Sequence, residues 1–343
     1  MQQQALDSRR KIRWGILGCG RIAGKFATDL ALVEDAELWA VGSRDIAKAE
    51  SFRQSHPARH AYGSYEALVQ DPNLDVVYVA SPHAQHHAHT LLCLEYDKAV
   101  LCEKAFAIHA GQARQMIDMA RRKGLFLMEA LWTRFMPHYQ QLMNMIHGGE
   151  LGDMKSVLIN FGFAPADPIP DRLFNPHLGG GSLLDIGIYN VFMAISALGR
   201  PDQLEAWMTP APSGVDEQCA ITFRYRNGAI AQLFSSFASN LATEADFCGT
   251  KARIRLGHRF YEPSTTMEFY PGRADSKVII PFDKDSGWGY HYEIRHVQQC
   301  LRQGLSESPT MTHANTLERM DILDAIRAAA GIHYPADSSN THK

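Results

Sequence analysis

Gly18-Cys19-Gly20-Arg21-Ile22-Ala23 stands between a short apolar run, residues 12–17, and a helix-period pattern from Ile22 to Leu32. A strand that turns on glycines straight into a helix leaves few folds open. The first glycine permits the tight turn, the second lets a pyrophosphate approach the backbone, and the small third residue lets the helix pack on the strand. The free N–H groups at the helix start then face an anion. In this setting G-x-G-x-x-A reads as a dinucleotide fingerprint, and the end of the second strand selects the cofactor. That strand ends Val41-Gly42-Ser43-Arg44. A carboxylate there would repel a 2′-phosphate, whereas Ser43 and Arg44 bind one through charge-assisted hydrogen bonds. NADP(H) is expected, held by Gly18, Gly20, Arg21, Ile22, Ala23, Ser43 and Arg44. NAD(H) is the alternative, with Arg44 a solvated loop residue and Asp45 on the ribose.

Strand and helix patterns alternate through the first part of the chain. Strands are expected at 12–17, 37–41, 76–80, 99–102 and 125–128, and helices at 22–32, 46–55, 65–70, 84–94 and 110–123. This alternation specifies a parallel, doubly wound sheet. After Met136 a helix at 138–147 gives way to longer β-like runs between 154 and 281, interrupted by one helix, 182–198. Asn227-Gly228 between two of these runs is a hairpin signal. The expected architecture is α/β: an N-terminal doubly wound domain over 11–135, then an α+β domain over 136–335 with a large, mostly antiparallel sheet.

Charge sets limits on partners. Lys plus Arg number 34 and Asp plus Glu 37, with no basic block or stripe, so there is no electrostatic case for nucleic acid or an anionic membrane. No apolar run is expected to reach the ~18 residues of a membrane span. Met1 to Lys11 is polar and charged, which predicts no secretory leader. The six scattered cysteines, none in a C-x-x-C pair, fit a reducing cytoplasm.

Three further stretches carry chemistry. Val100-Leu101-Cys102-Glu103-Lys104 ends a buried strand on a lysine, at the strand edge where ligands bind. Alone, Glu103-Lys104 would read as an ion pair. Ser81-Pro82-His83-Ala84-Gln85-His86-His87 follows another strand end. Its histidines lack a third metal ligand at a recognisable spacing, so Ser81 and His86 are expected to line the cofactor cleft and no metal is expected. Gly179-Gly180-Gly181-Ser182 opens the 182–198 helix with Ser182 as its cap, and Asp185 and Tyr189 fall on one helical face. A buried Tyr–Asp hydrogen bond made only for packing would look the same.

Together these pieces resemble the Gfo/Idh/MocA family: Gly18 to Ala23, Ser43-Arg44, Cys102-Glu103-Lys104 and Gly179 to Tyr189. Met128 to Pro137 and Asp185-Ile186-Gly187-Ile188-Tyr189 resemble the subgroup of dimeric dihydrodiol dehydrogenases and NADP-dependent D-xylose dehydrogenases. The resemblance implies a Rossmann domain, an open-faced sheet domain that pairs sheet to sheet in homo-oligomers, and hydride transfer at a CH–OH or C=O carbon of a sugar, trans-dihydrodiol or small carbonyl compound. It carries over Lys104 and Tyr189 as the catalytic polar pair with Asp185 beside them, and adds Glu103 to the cofactor site. Trp132, Phe163 and Arg172 are implied at the substrate. Family members usually have proline after the lysine, and here Ala105 stands there.

The chemistry agrees with the resemblance. A phenol is a poor base at neutral pH, and a nearby ammonium lowers its pKa. A non-catalytic dinucleotide-binding regulator on the same fold would be expected to lose Lys104 or Tyr189. An NAD-dependent inositol-type dehydrogenase would be expected to carry an acid at 43 and a histidine near the Asp185 turn.

Overall fold

The computed structural model describes residues 10–272 and 276–340. The residues before Arg10, where no leader is expected, lie outside it. The chain divides into two compact units: the first runs up to Arg134 and takes in Asp285–Leu317, and the second holds Phe135–Lys284 and the chain from Glu318 onward.

In the first unit, strands β1 (Ile12–Leu17), β2 (Ala36–Gly42), β3 (His60–Tyr62), β4 (Val76–Val79), β5 (Ala99–Glu103) and β6 (Leu127–Ala130) form one sheet in the order β3-β2-β1-β4-β5-β6. All its pairings are parallel. Helices α1 (Arg21–Leu30), α2 (Ile46–Ser55), α3 (Tyr65–Val69), α4 (His86–Glu95) and α5 (Ala110–Lys123) connect the strands. Every residue of β4 and β5 is buried, as expected of strands covered on both faces. The register aligns Leu17 with Gly42 and with Val79, and Val79 with Cys102. The loops after β1, β2, β4 and β5 therefore share one sheet edge. Strand order reverses between β2-β1 and β4-β5 at that edge, the place where open α/β sheets bind ligands. β3 was not anticipated: three residues are too short for an alternating pattern.

The second unit begins with α6 (Pro137–His147), which has proline in its first turn. Strands β7 (Met154–Gly162), β8 (Gln203–Pro210), β9 (Asp216–Arg224), β10 (Ile230–Ser236), β11 (Glu244–Gly249), β12 (Ala252–Gly257), β13 (Thr266–Pro271) and β14 (Val278–Ile280) form an eight-stranded sheet. Its neighbours are antiparallel except β7 and β10. The Asn227-Gly228 hairpin joins β9 to β10, with Gly228 at φ +82°. One sheet face is apolar and buried: Val157, Ile159, Ile221, Phe223, Ala231 and Leu233 alternate with more exposed residues. Helix α7 (Ile188–Leu198) lies against β7 and β10 on that side. Tyr139 of α6 stacks on Phe192 of α7 at 5.1 Å.

Three expectations are corrected. Residues 285–317 fold with the first unit, not the second, because the start of α8 (Tyr290–Arg302) is bound by Asp29 of α1: its carboxylate accepts from the backbone N–H groups of Trp288, Gly289 and Tyr290 at 2.9, 2.7 and 2.7 Å. The helix expected at 182–198 opens as a π-helical turn, Leu183–Gly187, before α7. The stretch Pro176–Leu198 is long and apolar enough to cross a membrane, contrary to the expectation that none is, but most of it is buried inside its unit as a core helix. The last helix, α9, spans His313–Ala330. All six cysteines are free.

Candidate active site

The β1–α1 turn has the shape its glycines suggest. Gly18 has φ +101°, and a Cβ there would lie 3.0 Å from the Ala80 carbonyl oxygen. Gly20 precedes α1 with no side-chain cap, and a Cβ added to it would meet nothing within 4 Å. The protein's own packing therefore does not require glycine at 20. The open space beside uncapped helix N–H groups fits an approaching pyrophosphate. Arg21 is exposed, Ile22 half-buried, and Ala23 fully buried where α1 packs on the sheet.

At the end of β2, Ser43 is buried and its Oγ accepts from Asp45 N at 3.3 Å. Asp45 in turn caps α2, accepting from Ala47 N at 2.9 Å. Arg44 is exposed beside Tyr65 and His89. Burial raises the Tyr65 phenol, and the Arg44 guanidinium opposes that rise. Burial, helped by Arg44, holds His89 neutral with a pKa of about 4. His89 Nδ1 lies 2.9 Å from Ser81 Oγ, and its ring meets Tyr65 edge-on at 4.7 Å. Sequence reading missed Tyr65 and His89, since a tyrosine opening a short helix and the last of several histidines carry no local signal.

His86 departs from expectation. It is fully buried, with Nδ1 2.7 Å from the Ala105 oxygen and Nε2 2.8 Å from the Ser81 oxygen. Burial pushes its pKa down to about 3, against the pull of the two carbonyls, so the neutral ring donates to one of them. It ties the loop after β4 to the turn after β5 and does not wall the cleft. Among the described residues no group of three His, Cys, Asp or Glu side chains is placed to hold a metal.

At the end of β5, Glu103 is buried and accepts from the Tyr78 hydroxyl and, through Oε2, from Lys104 N at 3.1 Å. Burial pushes its pKa up to about 7, and the Lys104 ammonium pulls it back. Glu103 is thus engaged inside the unit through both carboxyl oxygens. Lys104 is half-buried, and the Lys104–Ala105 peptide bond is cis. Trp132, expected at the substrate, is 5% exposed and stacks on Tyr290 at 4.5 Å.

In the second unit, the structure brings Arg172 and Asp185 together as an ion pair at 3.0 Å. Tyr189 is nearly buried, its ring 5.1 Å from Tyr261 and 6.0 Å from Phe161. Phe163 packs edge-on against Phe237 at 5.2 Å. Ser182 does not cap the helix: its φ of −69° and ψ of −33° are already helical. The capping acceptor is Asp216 of β9, which takes Leu183 N at 2.6 Å and Ser182 Oγ at 2.8 Å. Asp216 was missed because nothing local links it to a helix 33 residues away.

Residues 12–131 match the oxidoreductase family with an NAD-binding Rossmann fold, and residues 139–255 match the GFO/IDH/MocA C-terminal domain. The chain is 37% identical over 333 residues to trans-1,2-dihydrobenzene-1,2-diol dehydrogenase of Sus scrofa, spanning 95% of this chain and 99% of that one. It is 35% identical over 334 residues to the Homo sapiens enzyme of the same name, with the same two coverages of 95% and 99%. Among solved structures, a 3-ketoreductase from Actinomadura kijaniata in complex with NADP and TDP-benzene is similar with a TM-score of 0.83 and 26% identity, over 94% of this chain and 98% of that one. An aldose-aldose oxidoreductase from Caulobacter crescentus shares the fold with a TM-score of 0.85 at 24% identity, over 94% and 98% of the two chains. The chain belongs to the GFO/IDH/MocA oxidoreductase family, with an NAD(P)-binding Rossmann unit and that family's C-terminal domain, and is an oxidoreductase of CH–OH groups.

Proposed function

We propose that this enzyme uses NADP(H) to oxidise or form a CH–OH group on a sugar, a trans-dihydrodiol or a small carbonyl compound, with Tyr189 as acid/base and Lys104 assisting it. The observation that carries the cofactor choice is the end of β2. Asp45, which would otherwise be the acid for the ribose, is occupied as the cap of α2, while Arg44 stands exposed beside Tyr65 and a neutral His89. A guanidinium with two uncharged hydrogen-bonding neighbours suits a 2′-phosphate.

The nicotinamide, when bound, accepts or donates the hydride. The protein's own task is the proton. Oxidation of the alcohol removes one proton from the reacting oxygen, and Tyr189 takes it as phenolate; reduction reverses the step. The Lys104 ammonium favours the phenolate and polarises the oxygen. Arg172, paired with Asp185, and Phe163 are assigned to the substrate. The relatives named above as trans-dihydrobenzenediol dehydrogenases and the ketoreductase complexed with NADP support this reading. The test is turnover of NADP⁺ with trans-1,2-dihydrobenzene-1,2-diol and with D-xylose. Tyr189→Phe and Lys104→Met should each lose at least a hundredfold in kcat, and Arg44→Glu should weaken NADPH at least tenfold while sparing NADH. Near-normal turnover in both catalytic variants would overturn the assignment.

The outer face of the second unit's sheet supports a homo-oligomer. Leu158, Ile230 and Trp207 on that face are 43%, 43% and 59% exposed. A cytoplasmic setting is part of the same proposal, in keeping with six free thiols.

A further inference from the structure

The triple glycine before Tyr189 is a crossing point of the second unit's backbone. Gly181 N donates to the Leu173 oxygen at 2.8 Å, and Gly180 N to the Asn175 oxygen at 3.0 Å. The Tyr334 hydroxyl donates to the Gly180 oxygen at 2.7 Å. A Cβ at Gly180 would lie 2.8 Å from the Leu173 oxygen. Gly181, at φ +112°, would place a Cβ 2.2 Å from Asp216 Oδ1. Chain passes here only because both positions lack side chains. The crossing fixes the loop that carries Arg172 against the start of the π turn that carries Asp185.

Asp216 sits at the centre of this crossing. It is fully buried, and among the described residues no Lys or Arg forms an ion pair with it. Its Oδ2 accepts from Leu183 N and Ser182 Oγ, while Oδ1 is buried with no close hydrogen-bond partner among the described residues. Ser182 Oγ is also 3.0 Å from Ser235 Oγ. Tyr334 and Cys219 lie beside the carboxylate, and behind Tyr334 stand Arg327, over its ring at 4.8 Å, and Asp337. Burial pushes Asp216 up to about 6, against the pull of its hydrogen bonds, Leu183 N–H first. A buried, half-satisfied carboxylate is costly to keep, and such costs concentrate where function demands a fixed geometry. π turns concentrate there too. This one has no side-chain cap of its own.

We propose that Asp216 is a positioning residue for Tyr189: by holding Leu183 N–H and the Ser182 hydroxyl, it fixes the π turn that carries Asp185 and leads into α7, where Tyr189 is the second residue. The proposal rests on Tyr189 being the acid/base. Asp216 touches no reacting atom; it acts through the backbone of residues 182–187.

The experiment uses the full-length protein with NADP⁺ and trans-1,2-dihydrobenzene-1,2-diol. Asp216→Ala should lose at least tenfold in kcat with the KM for NADP⁺ changed less than twofold. Amide exchange over residues 183–189 should quicken at least tenfold, with the strands of the first unit unchanged. Asp216→Asn, whose amide oxygen can still accept from Leu183 N–H, should recover most of the kcat and protection. Two results would overturn the inference: a kcat in Asp216→Ala within twofold of wild type while Tyr189→Phe is inactive, or an Asp216→Asn variant that folds but is as impaired as Asp216→Ala. If Tyr189→Phe keeps its turnover, the reading of the reaction falls instead, and the exchange data still report whether Asp216 holds the turn.

Discussion

Asp29 in the first unit and Asp216 in the second solve the same problem with opposite electrostatic results. Each is a fully buried aspartate that caps a helix from a distant part of the chain. Each sits against a glycine in the left-handed region: a Cβ at Gly287, φ +113°, would lie 2.7 Å from Asp29 Oδ1, and one at Gly181, φ +112°, would lie 2.2 Å from Asp216 Oδ1. Burial raises the pKa of both. Asp29 receives three backbone N–H bonds and faces His291 Nδ1 at 3.4 Å, and these outweigh burial, so its pKa is lowered. Asp216 receives close bonds from Leu183 N–H and the Ser182 hydroxyl, with weaker pulls from the backbone N–H groups of Ser182 and Asp216 itself, and burial still wins, up to about 6. Glu293 on α8 extends the series: it is fully buried, neither carboxyl oxygen has a hydrogen-bond partner among the described residues, and burial, with the charges of Glu103 and Asp29, raises it well above the ordinary range. Close donors and a facing imidazole, set against burial, decide whether a buried carboxylate clamps a fold or burdens it.

The largest effect should follow Asp29→Ala. It strands three N–H groups at the start of α8, those of Gly289 and Tyr290 buried, and with charge-assisted bonds at about 1.5–3 kcal/mol each the first unit should lose on the order of 5 kcal/mol. Four of the five tryptophans lie in that unit, so urea unfolding followed by fluorescence reports it. Because the folded pKa is depressed, the Asp29 contribution is present above about pH 4 and fades as pH falls through the folded value. The variant should lack that acid limb. A loss under about 1 kcal/mol would break the comparison, since it would mean that the close N–H bonds do not set the worth of the carboxylate.

What the sequence disclosed follows the same divide between local and remote. The glycine turn, the strand ending at Lys104 and the Asn227-Gly228 hairpin are each written in adjacent residues, and their periodicity reaches the reader intact. Asp29 and Asp216 are single acids, one near the end of a helix and one at the start of a strand, and their partners lie 259–261 and 33–34 residues away. Ser182 drew attention because it stands in the right place for a local cap, yet its backbone is already helical and the longer-range carboxylate takes the Leu183 N–H. The assignment of 285–317 to the second domain failed for the same reason: the bonds that draw α8 into the first unit come from α1. His86 looked like a cleft residue because it follows a strand end, but its side-chain direction, inward to two carbonyls, is not encoded in that spacing.

Glu293 provides the next test. A group whose folded pKa is raised stabilises the fold fully below its unfolded pKa, and that stability is lost as pH rises toward the folded value. Glutamine mimics the neutral acid in shape but does not ionise in the unfolded chain. Glu293→Gln should match wild type near pH 4 and become progressively more stable than wild type from pH 5 to 8, by more than the Asp216 variant described next. Urea midpoints of the first unit at pH 4, 6 and 8 measure it. A variant less stable than wild type at pH 8 would show that the carboxylate is ionised and partnered, and would remove Glu293 from the series.

The smallest effect, and the sharpest in pH, belongs to Asp216→Asn. With a folded pKa of about 6 against an ordinary value of 3.8, the wild-type second unit should lose on the order of 3 kcal/mol from this group as pH rises from about 4 to 6, with no further change above that. The amide variant should lack the slope, offset by weaker bonds to Leu183 N–H and Ser182 Oγ worth about 1 kcal/mol. Opening free energies from amide exchange in β9 and β10, taken at pH 4, 5, 6 and 7, separate the two terms: the slope belongs to burial and the pH-independent offset to the hydrogen bonds. Wild-type and variant curves that run parallel from pH 4 to 7 would mean that the two donors have already brought the Asp216 pKa down to its unfolded value. Asp216 would then be a second Asp29, a clamp and not a burden, and the contrast between the two units would vanish.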